Sequence, residues 1–149
     1  MRLASDAALL LATDRLRWAV ERPPRCGDGE WGARMGRALA SLKEALRSHA
    51  ALQESADGLF ARAVDPFLLP ITPVSRRVHE LRHAHANLLD EISVLQRQLE
   101  GATQEPGSSS RSPRRTLGAI ARGAERLLAA IHDHKAVEKD LPLDSRDPR

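Results

Sequence analysis

The sequence is poor in most of the groups that carry familiar chemistry. It has one cysteine, Cys26, which excludes an internal disulfide framework and a cysteine-based zinc cluster. Aromatic residues make up 3% of the 149 positions, with no tyrosine; they are Trp18, Trp31, Phe60 and Phe67. That is too few for the stacking platforms with which proteins hold single-stranded nucleic acid. Long hydrophobic runs are missing too. The longest near the start, Ala7 to Ala12, is far too short to span a bilayer or to form a secretory core. A cytoplasmic protein without membrane attachment is expected. No window alternates β-branched and polar residues with period two, so no strands are expected. Nothing matches a catalytic triad, a phosphate loop or a dinucleotide fingerprint, and the chain is not expected to be an enzyme.

Charge of one sign is not in excess: 23 basic against 20 acidic residues leave a net +3. The basic residues are mostly arginine, as GC-rich coding would produce, and are spread along the chain. Their densest group, Arg111 to Arg115, falls in a segment without apolar periodicity. No nucleic-acid partner is expected, because no reading motif accompanies the charge.

What the chain does have is 42% hydrophobic residues, enough for one modest core, and these are regularly spaced. Breakers divide it. Arg22 to Gly29 reads as a loop; Pro66, Pro70 and Pro73 bracket a second break; Gly101 to Arg115 reads as a flexible Ser/Pro/Gly-rich linker. Four helical stretches remain, at about 3–22, 31–64, 74–100 and 115–140. The third carries Val74, Val78, Leu81, His85, Leu88, Ile92, Leu95 and Leu99, steps of four and three that form one stripe. The second does the same with Met35, Leu39, Leu42, Leu46, His49, Gln53, Ala56 and Phe60. Ile120, Ala124, Leu127, Ile131, His134, Glu138 and Leu141 make the fourth stripe; Asp6, Leu9, Thr13, Leu16 and Val20 make a fainter first one. Four such stripes predict an all-α fold, an antiparallel up-down-up-down four-helix bundle.

The stripes are apolar except for a few intruders: Asp6, His49 and Gln53, His85, and His134 with Glu138. A polar group buried without a partner costs a few kcal/mol, so intruders on core seams call for a reason. Asp6 is early in its helix, His49 and Gln53 late, His85 early, and His134 and Glu138 late. In an up-down-up-down bundle that alternation brings them all toward one end. Histidine and carboxylate groups converging from facing helices can hold a metal ion.

These residues carry a resemblance. LRSHAALQESADGLF around His49, VHELRHAHANLLDEI around His85 and LLAAIHDHKAVEKDLP around His134 and Glu138 are similar to the helix motifs of the hemerythrin-like, or HHE cation-binding, domain. The resemblance implies one bundle over 1–142, with 143–149 a frayed tail, built around a non-haem iron centre. It implies His49, His85, His134 and Glu138 as metal ligands. Asp6 stands where the family has its first-helix histidine, and can still ligate through oxygen. Gln53 stands where a carboxylate bridges two irons, and the neighbouring Glu54 points about 100° away around the helix. Glu54 is the remaining candidate ligand. One or two iron ions, with O₂ or another small diatomic ligand as partner and a role in oxygen or iron handling or sensing, is what the family implies.

Other readings stay open. The intruders can form a hydrogen-bonded polar core in a metal-free structural or protein-interaction bundle, including one descended from metal-binding ancestors. A histidine phosphotransfer domain, with His49 as acceptor, is a further alternative, although the lysine and glycine that usually admit a phosphoryl group are missing there. His79, His83 and His132 lie off the stripes and are expected at the surface. Trp18 and Trp31 are expected to staple the first loop, and Cys26 within that loop is the one thiol open to a redox role.

Overall fold

A computed structural model describes residues 2–22, 29–63, 72–104 and 113–141. Its helices are α1 (Arg2–Glu21), α2 (Gly29–Glu54), α3 (Leu59–Ala63), α4 (Pro73–Gln104) and α5 (Pro113–Lys139). No strand occurs among the described residues. The four long helices form a ring of neighbours: α1 packs on α2 and α5, α4 packs on α2 and α5, and the short α3 lies against α2 and α4. No helix among the described residues is long and apolar enough to cross a membrane.

The expected stripes lie on the buried faces, except that Asp6, Val20 and Val74 are only half-buried and Ala12 and Ala19 join the face of α1. Leu9, Ala12, Leu16 and Ala19 of α1 meet Trp31, Met35, Leu39, Leu42 and Leu46 of α2. Leu88, Ile92, Leu95 and Leu99 of α4 and Ile120, Ala124, Leu127 and Ile131 of α5 complete this core. A second, smaller apolar cluster gathers Leu59 and Phe60 of α3, Val78 and Leu81 of α4, and Leu141. Along α4, His85 falls between the two clusters; His49 falls between Leu46 and Leu59, and His134 and Glu138 between Ile131 and Leu141. The polar intruders therefore form a layer between the main core and an apolar lid.

Three boundaries differ from the sequence reading, each for a local reason. The second stretch does not run unbroken to 64; it stops at Glu54, turns at 55–58 and restarts as α3. Ser55 Oγ donates to the Leu52 carbonyl, and the Gly58 N–H donates to the Ser55 carbonyl. Only glycine fits at 58, because a Cβ there would run into the main-chain carbonyls of Leu52 and Gln53. Ala56 consequently leaves the stripe and is exposed, while Phe60 is buried through α3. The proposed linker is shorter than 101–115. Residues 101–104 continue α4, and 113–115 already belong to α5. Pro73 and Pro113 act as helix starts, since the first turn needs no N–H from them. Ahead of Pro73, Thr72 and Ser75 cap each other: the Thr72 N–H donates to Ser75 Oγ and the Ser75 N–H to Thr72 Oγ1.

The two tryptophans do different things. Trp31 is buried and its Nε1–H donates to the Ala19 carbonyl at 3.1 Å, joining the start of α2 to the end of α1. Trp18 is instead an exposed ring, with the guanidinium groups of Arg22 and Arg34 at 4.0 and 4.7 Å from its centroid. Cys26, Pro66, Phe67, Pro70, residues 105–112 and the tail 143–149 lie outside the described residues.

Candidate metal centre

The layer between core and lid is assembled from four helices. His49 sits near the end of α2, His85 in the first half of α4, and His134 and Glu138 one turn apart near the end of α5. All four are buried, His49 and His85 almost completely. The three histidines offer ring nitrogens within 4.8 Å of one another. His85 and His134 lie closest, with ring centroids 4.6 Å apart; His49 meets them edge-on at 5.6 and 6.4 Å. On the lid side, Phe60 stacks on His85 at 5.6 Å.

Acidic groups surround the imidazoles. Glu138 Oε1 is 3.0 Å from His49 Nε2, and its Oε2 is 2.8 Å from Lys135 Nζ. Asp6 Oδ1 accepts from Lys135 Nζ at 2.9 Å and lies 3.3 Å from His49 Nδ1. Behind His85, Glu54 Oε1 is 2.8 Å from Nδ1, so that ring is held by a carboxylate on one nitrogen while the other, Nε2, is left facing the layer.

Sequence reasoning placed six residues at this site, and the structure sorts them. His49, His85 and His134 come together as a set. Glu138 joins through His49, and Asp6 touches His49 from α1. Glu54 grips His85 from the outer side, at the last position of α2. Gln53 is buried and lines a neighbouring cleft of about 370 Å³ with Ser5, Leu52, Leu59 and Arg62. Lys135 was missed. Its signal was its place three residues before Glu138, which puts both on one helical face. His79, His83 and His132 are exposed as expected; the Nε2 atoms of the first two are 3.0 Å apart.

Burial dominates the electrostatics. It pushes the His134 imidazole down from 6.5 to about 4, with the neighbouring His85 adding to the effect. Burial lowers His85 as well, against the opposing hydrogen bond from Glu54. For Glu138, burial alone would raise the carboxyl; His49 and Lys135 outweigh it and bring the group down from 4.5 to about 2. Lys135 is raised, because its Glu138 and Asp6 partners overcome the burial that would lower it. At neutral pH the layer thus offers neutral imidazoles at His85 and His134 beside an ionised carboxylate, the protonation states that ligate metals.

Those donors are poorly satisfied by the protein. Both nitrogens of His134, both of His49 and Nε2 of His85 are buried without a well-formed hydrogen bond among the described residues. The Glu138 oxygens find ion-pair partners, His49 Nε2 at 3.0 Å and Lys135 Nζ at 2.8 Å. Orphaned buried donors and acceptors cost about 1–3 kcal/mol each. Two nitrogens on one tetrahedral first-row ion at about 2.0–2.1 Å stand ~3.4 Å apart. The three imidazoles, within 4.8 Å of one another, would therefore draw together by about an ångström to share one ion. The donor set, its protonation and its unmet hydrogen-bonding capacity all fit a metal ion. They do not fit phosphotransfer at His49, which is fully buried and offers no face to a phosphodonor.

No family of known proteins, no curated protein and no solved structure matches the chain.

Proposed function

We propose that this chain is a divergent hemerythrin-like protein, an antiparallel up-down-up-down four-helix bundle that binds a divalent metal, iron foremost, in its histidine layer. The end-to-end contacts support the antiparallel arrangement. Asp6, early in α1, meets His49, late in α2; Glu54, at the end of α2, meets His85, early in α4. At the other end of the pair, Trp31 at the start of α2 meets Ala19 near the end of α1. The observation that carries the metal reading is the convergence of three buried imidazoles, each with at least one nitrogen that lacks a hydrogen-bond partner among the described residues.

His49, His85 and His134 are the nitrogen ligands in this reading, with Glu138 and Asp6 as oxygen donors on the side of the layer where Lys135 sits. Glu54 holds the His85 tautomer by accepting from Nδ1–H, which leaves Nε2 as the ligating atom. The lid of Phe60, Leu59 and Leu141 closes the layer from one side and limits water. Iron held there by imidazole and carboxylate, with a coordination position left open, would offer that position to a small ligand such as O₂, NO or peroxide. The role that follows is oxygen or iron handling or sensing.

The test is metal analysis of the purified protein with an optical spectrum in air. Iron in the wild type, and its loss when His49, His85 and His134 are all replaced by alanine, is the expected result. Equal metal content in both proteins would contradict the reading and leave the layer a polar core element in a metal-free bundle.

A further inference from the structure

We propose that Lys135 is a built-in counter-cation, bound across the carboxylates of one half of the polar layer, so that the site takes a single metal ion. The inference rests on the metal-binding reading above and adds to it the number of ions. Lys135 Nζ lies between two carboxylates, 2.9 Å from Asp6 Oδ1 and 2.8 Å from Glu138 Oε2. His49 spans the same pair, with Nδ1 3.3 Å from Asp6 Oδ1 and Nε2 3.0 Å from Glu138 Oε1. Two carboxylates and an imidazole, brought together from α1, α5 and α2, are donors of the kind that hold a divalent first-row ion. Here they already enclose a positive charge, the ammonium.

The two halves of the layer differ accordingly. On the side of His85 and His134, His85 Nε2 and both His134 nitrogens are buried without a hydrogen-bond partner among the described residues, while Glu54 holds His85 Nδ1. On the side of Asp6 and Glu138, the carboxylates are charge-compensated by Lys135. A divalent ion entering this second half must displace the ammonium from both carboxylates or sit against its charge, beside the buried Glu138 and His49, with Lys135 and Asp6 themselves 35% and 30% exposed. An ion held by His85, His134 and His49 leaves both ion pairs of Lys135 in place. Lys135 therefore sets the number of ions, acting through its position and charge and never as a ligand.

Removing the charge while keeping the apolar stem should open the second half. The exposed His79/His83 pair, with Nε2 atoms 3.0 Å apart, is able to chelate on its own account, so counting is done in the full chain carrying His79→Ala and His83→Ala. Zn(II) alone is the probe, with bound metal per chain measured after equilibrium dialysis. The expected count is one ion for this parent and for Lys135→Arg, which preserves the cation, and two for Lys135→Met. Adding Asp6→Asn to Lys135→Met should return the count to one. Two ions in the parent, or one in a folded Lys135→Met, overturns the proposal while leaving metal binding intact. No ion in any of these proteins overturns the metal reading itself, and the proposal with it. Should circular dichroism show Lys135→Met unfolded, Lys135→Gln takes its place with the same two outcomes.

Discussion

Replacing His134 by leucine should stabilise the metal-free protein and destabilise the metal-loaded one. His134 is 5% exposed, and both of its ring nitrogens are buried without a hydrogen-bond partner among the described residues. Each orphan costs about 1–3 kcal/mol, and removing a polar group together with its unmet demand returns that cost. Leucine is similar in bulk but not in shape, which takes back up to ~1.5 kcal/mol. With each nitrogen taken at the low end of its range, the net expectation is a gain of about 0.5–2 kcal/mol without metal. For a chain of this size, each kcal/mol moves Tm by roughly 2–4 °C. Thermal and urea unfolding of protein stripped with a chelator reads the first half of the prediction. With metal the order should reverse: a ligand at 100 times its Kd stabilises the native state by about 2.7 kcal/mol, which the variant forgoes. A metal-free His134→Leu that is less stable than wild type would refute the reasoning. The imidazole would then have satisfied partners, and the layer would be a structural polar network.

Three further expectations follow from other parts of the structure. Metal-free wild type should lose stability as pH falls below 6.5, because His134 takes up its proton near 6.5 unfolded but only near 4 folded, so the unfolded chain binds more protons in that interval. Below 4.5 the lowered Glu138 adds to the loss; urea midpoints across this range measure the slope, and a flat profile speaks against a buried neutral imidazole. Gly58→Ala should cost about 2–3 kcal/mol, since its Cβ would meet the carbonyls of Leu52 and Gln53 and displace the α3 lid; an unchanged Tm would show that the turn at 55–58 has room. Glu54→Gln should weaken metal binding about 10–100-fold through loss of the carboxylate that orients His85, as read by competition with a chromophoric chelator. Its metal-free stability should shift by less than ~1 kcal/mol, the Glu54 side chain being 38% exposed.

The long helices and their inward faces were legible because steps of three and four leave little choice of buried side. His49, His85, His134 and Glu138 fall on those steps as squarely as Leu88 or Leu127, and they are buried for the same reason. The break after Glu54 was not legible. Ala56 and Phe60 stay in phase with the α2 stripe, and what ends the helix is a steric demand at Gly58 that periodicity does not register. Pro73 brackets a break in the sequence and Pro113 falls inside the expected linker, yet both start helices, since one residue type serves both purposes; ahead of Pro73 the cap at Thr72 and Ser75 marks the start. Glu54 was placed off the seam by its angle on an ideal helix; being the last residue of α2, it reaches His85 from outside the layer. Lys135 escaped notice because spacing gives the direction of a Cβ, whereas a long flexible side chain ends where its charge finds partners, here Asp6 and Glu138.

The central claim is that His49, His85 and His134 bind one ion together, and X-ray absorption at the metal edge of the loaded protein addresses it most directly. Imidazole rings give an outer-shell scattering pattern that carboxylates and water do not. The expected spectrum has a nitrogen and oxygen shell with the outer-shell signal of three imidazoles, falling to two in His134→Leu. A spectrum without imidazole scattering, or one unchanged in His134→Leu, would contradict that claim.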